Sequence, residues 1–108
     1  MCIHKKITII NLKELMKNKI AAVSEFHTAF KLNMNLHPIA NIGDDRKKLR
    51  FNLMKEENEE YLQAAKEGDL TEIADALGDM LYILCGSILK HGLQNKMESV
   101  TNIFSINY

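Results

Sequence analysis

The chain has 108 residues, 46% hydrophobic and 26% charged, with a formal net charge of zero, one proline and five glycines. That composition suits one globular domain and excludes disordered or fibrous classes, while balanced charge and a pI near 6.9 argue against nucleic acid as a partner. The longest apolar run, MLYILCGSIL from Met80 to Leu89, is about half of what a bilayer requires, so no membrane span is expected. Cys2 and Cys85 have no metal-type spacing and read as free thiols in a reducing compartment. The N-terminus lacks the apolar core and cleavage site of a secretory signal, and a cytoplasmic location is expected.

In chain order, ITII (Ile7 to Ile10) has strand character but no partner strand. From Leu12 to about Leu32, apolar residues at three- and four-residue steps (Leu12, Leu15, Met16, Ile20, Val23, Phe26, Ala29, Phe30) predict a first amphipathic helix. NMNLHPIANIGDD, Asn33 to Asp45, reads as a loop. A second helix is expected from Asp44 or Asp45, either of which is a competent cap, to Glu67, where Gly68 supplies a left-handed stop. Asp69 caps a third helix from Leu70 to about Lys90, with Glu72 at capping-box spacing and Gly92 at its end. A shorter fourth helix is expected over Lys96 to Phe104. The sequence thus predicts an all-α fold: one domain over residues 1–108, with its core in 12–92 and a divergent C-terminal segment at 93–108. Three or four short helices bury too little surface alone, so the bundle is expected to be completed as a homodimer or homotetramer.

The acidic residues are unevenly placed. Between Glu56 and Asp79 the chain carries nine acids and a single base, Lys66. On the second helix Leu49, Leu53, Glu57, Glu60 and Ala64 follow helical steps, so carboxylates continue a seam that leucines begin. On the third, Glu72, Asp75 and Asp79 share a face opposite the stripe Leu70, Ile73, Ala74, Leu77, Leu81, Leu84 and Ile88. Carboxylates turned toward an interior cost several kcal/mol each unless cations compensate them. An oxygen-only set from two helices suits a hard divalent ion, Mg²⁺ in particular. Glu57, Glu60 and Asp79 are the acids for which this reading outweighs a solvated surface, whereas Glu59 reads as surface, Glu67 and Asp69 as helix ends, and Glu72 is also explained by capping.

EENEE (Glu56 to Glu60) followed by EIADALGDMLYI (Glu72 to Ile83) resembles the EExxE and ExxD signature of the all-α, MazG-like nucleoside triphosphate pyrophosphohydrolases, in the branch related to phosphoribosyl-ATP pyrophosphohydrolase. VSEFHTAF and LRFNLMKEE resemble the segments that lead into that signature, and the similarity runs from about Val23 to Gly92. The resemblance implies a helical bundle, dimeric or tetrameric, that hydrolyses a nucleoside triphosphate to the monophosphate and pyrophosphate with Mg²⁺ (or Mn²⁺), in nucleotide housecleaning. Glu57, Glu60, Asp75, Asp79 and Glu72 are then the metal candidates, and Glu56 the residue that orients or deprotonates the attacking water. Arg50 and Lys55 are candidates for phosphate oxygens, while Arg46, Lys47 and Lys48 read as a solvated face. His27 and Tyr82 are substrate candidates whose commoner role is packing; the same holds for Phe26.

Two departures from the resemblance bear on turnover. Many relatives carry a glutamate three residues before the final aspartate, where this chain has Ala76; Asp75 and Glu72 are the nearby substitutes, of which Asp75, one turn from Asp79, is expected to replace it and Glu72 is the alternative. The C-terminal MESVTNIFSINY lacks the basic, asparagine-bearing helix that relatives commonly use. The alternative reading is a catalytically impaired helical oligomer that binds nucleotides or partners.

Overall fold

The computed structural model describes residues 17–30 and 33–97. The expected ITII strand, Cys2 and most of the expected fourth helix lie outside them. The described residues are all helical or irregular, with three long helices: α1, which covers residues 17–29, α2 (Asp44–Glu67) and α3 (Leu70–Lys90). No helix among them is long and apolar enough to cross a membrane.

The turn between α2 and α3 is as short as a helical hairpin allows. Gly68 is left-handed (φ 70°) and its N–H returns to the carbonyls of Ala64 and Ala65, while the Asp69 N–H bonds the Ala64 carbonyl at 3.0 Å. Asp69 then caps α3, its Oδ1 accepting from the Glu72 N–H at 3.1 Å. Both helix ends follow the sequence reading. The start of α2 does not: neither Asp44 nor Asp45 is the cap. Gly43 (φ 93°) takes that position without a side-chain bond, and the two aspartates fall in the first turn, where their charges complement the positive end of the helix dipole. A left-handed backbone at the entry favours glycine, which displaces the aspartates one step into the helix.

The core lies where α1 crosses the C-terminal half of α3. Ile20 and Val23 pack on Cys85, Ile88 and Leu89, flanked by Met34, Leu81 and Met97. Each large aliphatic side chain so buried contributes roughly 1.5–3 kcal/mol. The loop before α2 is fastened to the end of α3 by backbone bonds, Asn35 N–H to the Leu89 carbonyl (3.1 Å) and Ile39 N–H to the His91 carbonyl (2.9 Å). The Asn35 side-chain amide also donates to the Lys90 carbonyl. These donors satisfy the carbonyls that a helix end leaves free.

α2 turns Arg50, Leu53, Met54, Glu57 and Ala64 toward the rest of the fold, which keeps Leu53, Glu57 and Ala64 of the expected seam but puts Arg50 in place of Leu49 and leaves Leu49 and Glu60 exposed. On α3 the buried residues are Ala76, Ile83, Cys85, Gly86, Ile88 and Leu89. Of the stripe expected to be the core, Leu70, Leu77 and Leu84 are exposed instead. The reason is geometric: α1 and α2 cover two sides of α3 and leave the third uncovered.

Gly92 separates two glycine roles. It is left-handed (φ 64°), and a Cβ there would run into the His37 carbonyl of the fastened loop, whereas Gly68 has open space around it. Gly68→Ala should therefore lose only the backbone cost of about 1–2 kcal/mol, and Gly92→Ala distinctly more. Urea unfolding of the two variants measures this difference.

Candidate metal centre

Glu57 and Glu60 are three residues apart and so share a face of α2. The antiparallel register brings Asp79 of α3 opposite them, and ligand oxygens of Glu57, Glu60 and Asp79 all lie within 4.8 Å of one another. Glu57 is half-buried and the other two are exposed, so the cluster opens to solvent on one side. One Glu57 oxygen, Oε2, is enclosed without a hydrogen-bond partner among the described residues. None of the three acids is ion-paired among those residues, where the recorded pair is Lys47 with Asp44 (3.7 Å) at the far end of α2.

The electrostatic consequence falls on Glu57. Its carboxyl is pushed up from 4.5 to about 7, first by desolvation, then by the hydrogen bond to Glu60 and the charges of Glu60, Asp79 and Asp75. Holding a proton on Glu57 removes part of this repulsion. A divalent cation does so more fully, and three hard oxygen donors with an orphaned buried oxygen among them fit Mg²⁺ or Mn²⁺ and not a thiolate-seeking metal.

The remaining candidates divide. Asp75 is exposed and adds its charge to the field at Glu57 but stands outside the triad. Glu72 lies in the first turn of α3, its N–H engaged by Asp69, and is also outside. Glu56 and Lys55 are exposed on α2 next to the triad residues. Arg50 is turned inward: its Nε donates to Ser87 Oγ and its Nη2 to the Ile83 carbonyl, both at 3.0 Å, so it clamps α2 to α3. Partial burial lowers its pKa and the neighbouring Tyr82 opposes that shift. A guanidinium carries more donors than these two bonds use.

His27 is buried, with Nδ1 2.9 Å from the Val23 carbonyl, a contact that requires the proton on Nδ1. It is a packing residue in the described structure. Tyr82 meets the edge of Phe26 (centroids 5.8 Å apart, 86°), and Phe26 packs on Phe30 at 4.4 Å, so a half-exposed aromatic group stands one turn along α3 from Asp79.

Sequence reasoning missed the surroundings of Ala76. With Glu57 facing Asp79 and Arg50 facing Ser87, the register sets Ala76 opposite Glu60, and Ala76 is only 2% exposed. The position where the resemblance leads one to expect a carboxylate thus lies on the side of α3 that faces α2 and here holds a methyl group. Antiparallel pairing of the two helices was the signal that would have found it.

Two antiparallel helices thus gather unpaired carboxylates into one open cluster on an all-α domain, and the family-model match places that domain in the MazG-like superfamily. The family model for phosphoribosyl-ATP pyrophosphohydrolase matches residues 23–105, and the chain belongs to that family, whose members are typically metal-dependent pyrophosphohydrolases. The chain is also 41% identical over 68 residues to an uncharacterised protein of Acanthamoeba polyphaga mimivirus. That stretch is 60% of this chain but only 27% of the viral protein, so the chain spans a minor part of that relative's length. No solved structure matches.

The raised Glu57 carboxyl fixes the sign of a pH effect. Between pH 4.5 and about 7 the folded protein holds a proton that the unfolded chain has released, so stability is greatest at the acid end and falls as pH rises through about 7. The metal-free protein should therefore melt at progressively lower temperature across that interval, and Glu57→Gln should flatten this part of the profile. Thermal melts of both proteins at a series of pH values test it.

Proposed function

We propose that this chain hydrolyses a nucleoside triphosphate, or a related nucleotide, to the monophosphate and pyrophosphate with Mg²⁺, Mn²⁺ serving as a substitute, in nucleotide-pool housecleaning. The convergence of Glu57, Glu60 and Asp79 carries this reading. These three would hold the cation, Glu57 giving up its proton as it does so. When bound, the cation neutralises charge on the phosphate chain and acidifies a coordinated water. Glu56, exposed beside Glu57, is positioned to take a proton from the attacking water. Lys55 supplies positive charge from the same turn, and Asp75 supports the site from α3 through water, where its charge is already felt. The Phe26 and Tyr82 rings offer a stacking face for a base.

A second reading has one observation in its favour. With Ala76 facing Glu60, the triad lacks a fourth carboxylate, which suits a site that binds a metal-nucleotide complex without turning it over. Pyrophosphate release from a panel of nucleoside triphosphates with Mg²⁺ separates the two. Under the catalytic reading, Asp79→Asn and Glu57→Gln should each reduce turnover more than about 100-fold, since even outer-shell partners of a metal ligand cost 10–100-fold. Asp75→Asn should weaken Mg²⁺ binding, and Glu72→Gln should cost mainly the stability of a helix start. Mg²⁺ binding without any pyrophosphate release would favour the module.

We further propose that the domain works as a homodimer or a dimer of dimers. The uncovered side of α3 presents Leu70, Leu77 and Leu84 at seven-residue spacing, the pattern of a helix that expects a partner. Light scattering at micromolar concentration should give at least twice the mass of one chain; a stable monomer would sink this proposal.

A further inference from the structure

The same register that gathers the acids also gathers cations, at the opposite end of the hairpin. Arg46 and Arg50 are four residues apart and share a face of α2, and Arg50 reaches across to the Ile83 carbonyl and Ser87 of α3. Lys90, one turn beyond Ser87, is half-buried, and its ammonium bonds the Asn33 carbonyl. Burial, then the positive charges of Arg50 and Arg46, holds the Lys90 ammonium below its usual range. No ion pair among the described residues involves any of the three, and Asp44, the recorded acid partner at this end, is engaged by Lys47. Like charges four apart on a helix repel, and partial burial of two of them adds to the cost. A solvated face would spread such charges outward. Here Arg50 and Lys90 are anchored by neutral oxygens, which orient them without cancelling their charge.

We infer that Arg46, Arg50 and Lys90 form a second anion site, suited to a phosphate group, that is separate from the carboxylate triad. Arg46 precedes Glu57 by eleven residues and Lys90 follows Asp79 by eleven, which sets these two about 16 Å along the helix axes from the acids, while Arg50, seven residues before Glu57, stands about 10 Å from them. The half-exposed ring of Tyr82 lies between the two levels, beside Arg50. A guanidinium pair and an ammonium match the several oxygens of a phosphate better than a single carboxylate. The group has two possible sources, a phosphate carried by the nucleotide away from its metal-bound end, or free phosphate. Only the first rests on the proposed hydrolysis.

The test uses the full chain, ¹⁵N-labelled and free of metal, titrated with inorganic phosphate. Amide shifts should concentrate at Arg46, Ser87 and Lys90, and Arg46→Gln and Lys90→Gln should each weaken the fitted affinity at least about tenfold, while Glu57→Gln and Asp79→Asn leave it unchanged. Lys90→Gln also loses the bond to Asn33, so Arg46→Gln, at an exposed position, gives the independent reading. Absence of localised shifts, or affinity indifferent to Arg46→Gln, overturns the site even if the enzyme proves active. In the presence of Mg²⁺ and a hydrolysed nucleotide, competitive inhibition by phosphate that Arg46→Gln relieves assigns the site to the substrate. A change in kcat without competition, lost in the same variant, assigns it to free phosphate.

Discussion

Everything functional in this domain depends on the pairing register of α2 and α3, and that register is set by Gly68 and Asp69. The left-handed glycine ends one helix and the aspartate begins the next, leaving no slack between them. A slip of one residue would rotate a side chain by about 100° around its helix, turning Glu57 away from Asp79. The same slip would part Arg50 from Ser87. The hairpin turn is therefore the element through which sequence becomes site.

Apart from the Lys47–Asp44 pair, charge among the described residues is sorted along the hairpin instead of being neutralised locally. The carboxylates of the triad occupy one level and Arg46, Arg50 and Lys90 another, and like charge raises the free energy of each level. Stability in the absence of ligands is the quantity given up. What holds the hairpin together despite this is neutral chemistry: the Arg50 bonds to a hydroxyl and a carbonyl, the aliphatic contact with α1, and the backbone bonds that fasten the loop to the end of α3.

The sequence was informative where one residue type has one dominant physical role. Gly68 and Asp69 announced a stop and a start, and the seam carrying Glu57 and Glu60 was readable from periodicity because acids interrupt leucines there. It was uninformative where the outcome depended on which neighbour covers which face. Leu70, Leu77 and Leu84 have the pattern of a core but remain exposed in one chain, and Leu49 gave way to Arg50 at the seam. The entry to α2 was misassigned because two aspartates advertise a cap more strongly than the glycine before them. Arg46 and Lys90 are distant in sequence, and only the register makes them neighbours.

Because Asn35 and Ile39 are bonded to the end of α3, α2 is held at both ends, by a turn at Glu67 and by a tethered approach at Asp44. Such a helix is poorly placed to slide along its partner. If the triad holds a cation as proposed, accommodation of ions of different radius would fall to carboxylate rotamers instead of to the backbone. On the proposed metal-dependent reading, a rigid frame with adjustable ligands would tolerate several hard ions and discriminate among them by hydration more than by fit.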